Sequence, residues 1–303
     1  MNRTSLMWER KSDFRNEMKI RFLIFGLLIF CFLSLGPVYG GPMISSLLFP
    51  GTERSPGISR FGEPRKIQTS TGRTIYLIAD LFQPASEAKG LVLYFHGNGE
   101  LVEDLDYLIP FFRRAKLNAL LIEYPGYGNA PGKPSEKEIY QTALSAYDWA
   151  QKEFPTLPKI AMGWSLGSTV AAYVALEREV AYLFLLSAMT SMKETAQNLF
   201  PGVPDLLLKG NEFDVTRLFP KLKAPVTIIH GTEDDLVPIR MARTLKSLLG
   251  GRGRLIEIQG ALHNDLYLRG KGEIENELRR IAEAIDSVNK PRDGKGRREG
   301  SSE

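Results

Sequence analysis

The sequence predicts an open, mainly parallel sheet with helices on both faces, and three observations predict it. Seven short apolar runs (74–82, 91–95, 119–124, 160–162, 181–186, 226–229 and 255–258) recur along the chain. Helical patterns at 101–115, 135–154, 168–178, 239–249 and 273–288 lie between most of them or after the last. Strands alternating with helices of this length require crossover connections, hence parallel pairing with both faces covered. Finally, the polar clusters fall just past the ends of the runs, where such sheets place their sites.

In chain order, residues 40–64 contain nine Gly or Pro and read as a linker or irregular N-terminal wrap. The run 91–95 leads into His96-Gly97-Asn98-Gly99. A Gly-rich turn here lets the Asn98 N–H face a developing oxyanion, with the Leu166 N–H as second donor; a plain tight turn is the alternative. His96 precedes the turn and reads as structural. After 119–124 comes Tyr124-Pro125-Gly126-Tyr127-Gly128, expected to shape a pocket wall, and Ser135 with Glu138 caps the next helix.

The run 160–162 opens Gly163-Trp164-Ser165-Leu166-Gly167, the G-x-S-x-G pattern of a nucleophile elbow, and an Ala-rich helix follows. A serine hydroxyl that must stand clear of a sheet edge sits on a strained strand-to-helix turn. Glycines two residues to either side keep Cβ atoms out of that turn. The helix behind it presents free N–H groups and a positive dipole end. An ordinary strand–turn–helix with a capping serine is the bland reading of the pentapeptide alone.

The run 226–229 leads to His230-Gly231-Thr232-Glu233-Asp234-Asp235, where three acids compete to orient a histidine. Among the three histidines, His96, His230 and His263, only His263 lies in a loop after the last run, within reach of Ser165 as a general base. The order serine, acid, histidine is the one this architecture requires.

The length of 303 residues allows one large α/β domain or two small ones, with 43% hydrophobic residues for the core. The net charge of +4 sits at the ends: residues 1–21 carry +3 and 289–303 carry +2, leaving the body nearly neutral. A body without a basic stripe argues against nucleic-acid binding. The stretch 22–35 is uncharged, follows Lys19 and Arg21, and suits the apolar region of a signal peptide better than a membrane span. Met18 would open a conventional leader cleaved after Gly40, and an uncleaved anchor is the alternative. Either way the body is expected outside the cytoplasmic membrane, with possible membrane association through this segment. Cys31, the single cysteine, lies inside that stretch, so the body has no disulfide or cysteine-based metal site. Residues 289–303 read as a disordered basic tail.

Together HGNG, YPGYG with PSE, GWSLGS, HGTEDDLVP and ALHND resemble the α/β-hydrolase superfamily. They are most similar to its membrane-associated α/β-hydrolase-domain proteins, which have a small or absent cap. The resemblance covers about residues 65–288. It implies an eight-stranded, mostly parallel sheet and a serine hydrolase without cofactor or metal. It also implies Ser165 as nucleophile, Asp234 as acid, His263 as base, Asn98 and Leu166 as oxyanion donors, and Gly163 and Gly167 as elbow glycines. Leu262 stands where relatives usually carry glycine. Residues 188–223 are the expected small cap, whose Leu199, Phe200, Val203, Leu206, Leu207 and Leu208 would line an acyl pocket or pack one helix on the sheet. The expected activity is hydrolysis of a small-molecule or lipid-like carboxylic ester or thioester. The rivals are a peptidase on the same fold and a catalytically silent binding protein.

Overall fold

Uninterrupted apolar runs are what a strand buried on both faces needs, and β3 (Gly90–Phe95), β4 (Leu117–Glu123), β5 (Lys159–Trp164), β6 (Tyr182–Leu186) and β7 (Val226–Gly231) are buried at every residue. The structure is a computed structural model that describes residues 48–60 and 62–289. With β1 (Arg65–Gln68), β2 (Thr74–Asp80) and β8 (Gly253–Ile258), these strands form one eight-stranded sheet. Its order is β1-β2-β4-β3-β5-β6-β7-β8; β2 runs antiparallel to β1 and β4, and every other pairing is parallel.

The alternation of side chains splits the core in two. Leu91, Leu93 and Phe95 enter one apolar layer while Val92 and Tyr94 enter the other. The first layer is covered by α2 (Glu136–Glu153), α3 (Leu166–Glu177) and α5 (Ile239–Leu248). The second is covered by α1 (Ile109–Arg114), α6 (Leu266–Arg269) and α7 (Lys271–Asn289). Each fully buried leucine or isoleucine contributes about 1.5–3 kcal/mol.

Two elements differ from the sequence reading. The helix expected at 101–115 is a 3-10 helix, Val102–Tyr107, followed by α1. Pro110 lacks the N–H that a continuous helix would donate one turn back, so the hydrogen-bond ladder breaks there and the two pieces do not fuse. Strand β1 escaped notice because three of its four residues are exposed and polar, as an antiparallel edge permits. Of the two readings of the 40–64 stretch, its described part is the irregular wrap: Phe49 is buried in the core and Gly51 N–H donates to the Asn98 carbonyl.

In the 188–223 insertion lie α4 (Met192–Leu199) and two 3-10 turns, Asp205–Leu208 and Phe219–Lys221. Of the apolar residues weighed there, Leu208 is buried in the core and Leu206 faces solvent. The proposed leader, Met18, Cys31 and all of the basic tail beyond Asn289 lie outside the described residues. Among the described residues, no helix is long and apolar enough to cross a membrane.

Candidate active site

The turn between β5 and α3 is set by two glycines. A Cβ on Gly163 would lie 2.0 Å from the Gly167 carbonyl oxygen, and one on Gly167 would lie 1.9 Å from that of Phe95. No side chain fits either gap, so the glycines let the start of α3 rest on β5 and on the end of β3. Between them Ser165 takes φ 54° and ψ −118°, outside the regions L-residues ordinarily occupy. Its N–H is tied to the Leu186 carbonyl at 3.0 Å, and Ser168 donates its hydroxyl to the Ser165 carbonyl at 2.6 Å. The Ser165 hydroxyl itself has no hydrogen-bond partner among the described residues.

Of the three acids after β7, Glu233 and Asp235 are exposed and Asp234 is buried. Burial alone would raise the Asp234 pKa, but the adjoining imidazoles of His263 and His230 outweigh it and hold the carboxyl well below the usual range. His263 Nδ1 lies 2.8 Å from Oδ2 and 3.0 Å from Oδ1 of Asp234. A carboxylate can only accept, so Nδ1 carries the proton and Nε2 the free lone pair. The Leu236 and Val237 N–H groups donate to Oδ1 at 3.1 and 2.7 Å, fixing the carboxylate from behind. His230 Nε2 donates to the Val237 carbonyl at 2.7 Å and sits 3.3 Å from Oδ2.

The loops carrying acid and base are stitched together: Glu233 N–H donates to the Ala261 carbonyl at 3.1 Å, and a Cβ on Gly231 would lie 2.2 Å from the same oxygen. Leu262 causes no strain, since its φ is negative and its N–H donates to Asp265 Oδ1 at 2.6 Å. The glycine expected there is not required by this loop.

His263 also stacks on Trp164, with ring centroids 5.1 Å apart and planes at 25°. That contact places the imidazole over the residue preceding Ser165. The G-x-S-x-G pattern assigns no role to Trp164; the signal in the sequence is an indole next to the serine. No hydrogen bond joins Ser165 and His263 in this structure. Asp234 and His263 are brought together, and the turn carrying Ser165 meets them through the Trp164 ring.

The two N–H groups singled out at Asn98 and Leu166 donate to no acceptor among the described residues. The close contact of Gly167 with the Phe95 and His96 carbonyls brings their elements together. Beneath the turn, His96 is fully buried, with Nε2 2.8 Å from Glu123 Oε1 and Nδ1 2.9 Å from the Gly97 carbonyl. Burial opposes protonation of this ring, yet Glu123 and the Gly97 carbonyl raise its pKa, and two acceptors suit an imidazolium. His96 is thus structural, as expected. Tyr124 and Tyr127 are not a pocket wall: both are buried, the Tyr124 hydroxyl donating to the His96 carbonyl and the Tyr127 hydroxyl to Asn98 Oδ1. A surface cavity of about 520 Å³ opens elsewhere, lined by Arg73, Gln141, Asp148 and Arg178 among others and by none of these site residues.

Glu103 lies in the same region, buried, with neither carboxylate oxygen hydrogen-bonded among the described residues. Burial, reinforced by Glu123, Asp104 and Glu63, pushes its pKa up to about 7. The folded state therefore holds a proton that the unfolded chain releases near pH 4.5, so stability falls as pH rises from there to about 7 and is level above. Glu103→Gln is expected to match wild type at pH 4 and to be more stable by roughly 1–3 kcal/mol at pH 8. Urea unfolding at the two pH values checks this; an equal loss between them in both proteins would refute it.

Comparisons with known proteins agree with this architecture. Residues 86–212 match the serine aminopeptidase S33 family, a span that includes Asn98 and Ser165 and ends before Asp234 and His263. The uncharacterized protein Rv2307c of Mycobacterium tuberculosis is 34% identical over 151 residues, 49% of this chain and 54% of that protein. The chain thus matches about half the length of this curated relative. Human alpha/beta hydrolase domain-containing protein 17B is 28% identical over 207 residues, 67% of this chain and 70% of its own. Among solved structures, the Pyrococcus furiosus esterase Pf2001 superposes with a TM-score of 0.61 at 17% identity, covering 76% of this chain and 97% of that one. With this strand order, this strand-to-helix turn and these similarities, the chain has the α/β-hydrolase fold.

Proposed function

We propose that this chain is a serine hydrolase that cleaves carboxylic esters or thioesters of small or lipid-like acyl groups through an acyl-enzyme. The observation that carries the reading is Ser165 on its strained turn, next to Trp164, on which the Asp234-bound imidazole of His263 stacks. In this reading His263 Nε2 takes the Ser165 proton as Oγ attacks the carbonyl carbon. The carbonyl π electrons move to oxygen, where the Asn98 and Leu166 N–H groups hold the charge. Collapse expels the alkoxide or thiolate, which receives the proton from His263. Water, deprotonated by the same imidazole, then releases the acid and restores the serine.

The test is intact-mass analysis after exposure to a fluorophosphonate, whose phosphorus takes the serine oxygen and loses fluoride. One adduct per chain on wild type and none on Ser165→Ala is the expected result. A folded wild type that takes no adduct would overturn the reading and bring forward a silent binding protein. A peptidase is the second reading, favoured by the aminopeptidase family match. Chromogenic amides cleaved faster than matched esters would establish it instead.

A further inference from the structure

The residue assigned as the first oxyanion donor is held in an unusual way. Apart from its N–H, every polar atom of Asn98 is engaged, and the partners come from far along the chain. Its Nδ2 donates to the Leu48 carbonyl at 2.7 Å. Its carbonyl accepts the Gly51 N–H at 3.2 Å. The Tyr127 hydroxyl donates at 2.7 Å to Oδ1 and lies 3.1 Å from the carbonyl. The next residue is held too, since Arg54 Nη1 donates to the Gly99 carbonyl at 2.8 Å and pairs with Asp104.

The strap that supplies these groups, residues 48–54, is anchored. Phe49 is 1% exposed and meets Phe213 of the insertion edge-on, centroids 6.3 Å apart. Gly51 lies flat against Tyr127: a Cβ there would be 2.0 Å from the ring and 3.1 Å from the Asn98 carbonyl oxygen. Strap, ring and turn therefore form one packed unit, in which Asn98 keeps only its N–H unused.

We propose that the 48–54 strap and Tyr127 are positioning elements for the Asn98 oxyanion donor, so that the segment joining the N-terminal region to the hydrolase body sets the rate of turnover. The inference rests on the hydrolase reading above. Its physical basis is preorganisation: a donor lowers the barrier only when held in place before charge develops, and removing one outright costs roughly 10²–10³ in kcat. A donor left in place but loosened loses part of that, since it must be reordered in each transition state. The effect belongs in kcat, because the ground-state carbonyl gains little from the hole.

The test uses the full chain with Tyr127→Phe, Gly51→Ala, Phe49→Ala and Phe49→Leu, each checked for an intact fold by circular dichroism. Two quantities are read: kcat and KM on a p-nitrophenyl ester, and the rate of fluorophosphonate labelling, whose phosphoryl oxygen occupies the same hole. Tyr127→Phe, Gly51→Ala and Phe49→Ala are expected to lower kcat and the labelling rate by roughly tenfold or more, with KM within threefold. Phe49→Leu, which keeps the anchor apolar, should recover most of the loss. In an Asn98→Ala background, where the side-chain tether is already gone, Tyr127→Phe should add less than threefold. Folded variants labelled as fast as wild type would overturn this inference while leaving the hydrolase reading intact. Wild type without label would overturn both.

Discussion

Ser165→Ala is expected to lower kcat on a suitable ester by roughly 10⁴- to 10⁶-fold, with KM little changed. The strained backbone at this position serves no packing purpose that alanine would not serve equally, so the variant should fold and bind substrate. It loses only the atom that would form the acyl bond in the proposed reaction. His263→Ala should fall in the same range, because an alcohol that cannot lose its proton is a poor nucleophile. Combining the two should cost little beyond either alone, since both act in one step. Asp234→Asn would be milder, roughly 10⁴-fold: an amide still fits beside His263 Nδ1 but presents no charge to stabilise the imidazolium. Steady-state kinetics on purified, folded protein checks the set. A Ser165→Ala protein that keeps more than about one part in a hundred of the activity would remove this serine from the reaction.

Gly167→Ala is expected to abolish the fold rather than the chemistry. The added Cβ would sit 1.9 Å from the carbonyl oxygen and 2.5 Å from the carbonyl carbon of Phe95, and 2.7 Å from the His96 carbonyl oxygen. These are backbone atoms at the end of a central strand buried on both sides, so nothing there can turn aside. Relief requires lifting α3 off the sheet, which opens the packing of Val170, Ala171 and Val174. A loss above about 4 kcal/mol follows, near the whole stability of many domains. Gly251→Ala is the control: that glycine is exposed, its φ is not positive, and nothing lies within 4 Å of a Cβ there. It should change stability by less than about 0.5 kcal/mol. Soluble yield and urea unfolding distinguish the two. A Gly167→Ala protein within about 1 kcal/mol of wild type would show that the elbow is not closely packed against β3.

Most of the architecture was legible in the chain because its causes are local. A strand buried on both faces must be apolar throughout, and Leu91 to Phe95 or Val226 to Ile229 announce that directly. The elbow was legible too, because the two glycines answer a steric demand within five residues. Local signals failed where the determining neighbour is far away. Strand β1 owes its place to pairing with β2, a contact that Arg65, Lys66 and Gln68 do not advertise. The helix expected at 101–115 followed an apolar pattern that Pro110 interrupts.

The same division runs through the site. By itself the sequence determined the fold class, the position of Ser165 and the order of the three chemical groups, since spacing along the chain carries that information. Spacing left three neighbouring acids open and the resemblance favoured Asp234; the tertiary structure buries that one against His263. It alone brought Trp164 under the imidazole and laid Phe49 to Arg54 against a turn some 50 residues away. Burial and hydrogen-bond partnership are properties of residues brought together by folding, and no periodicity within the chain encodes them.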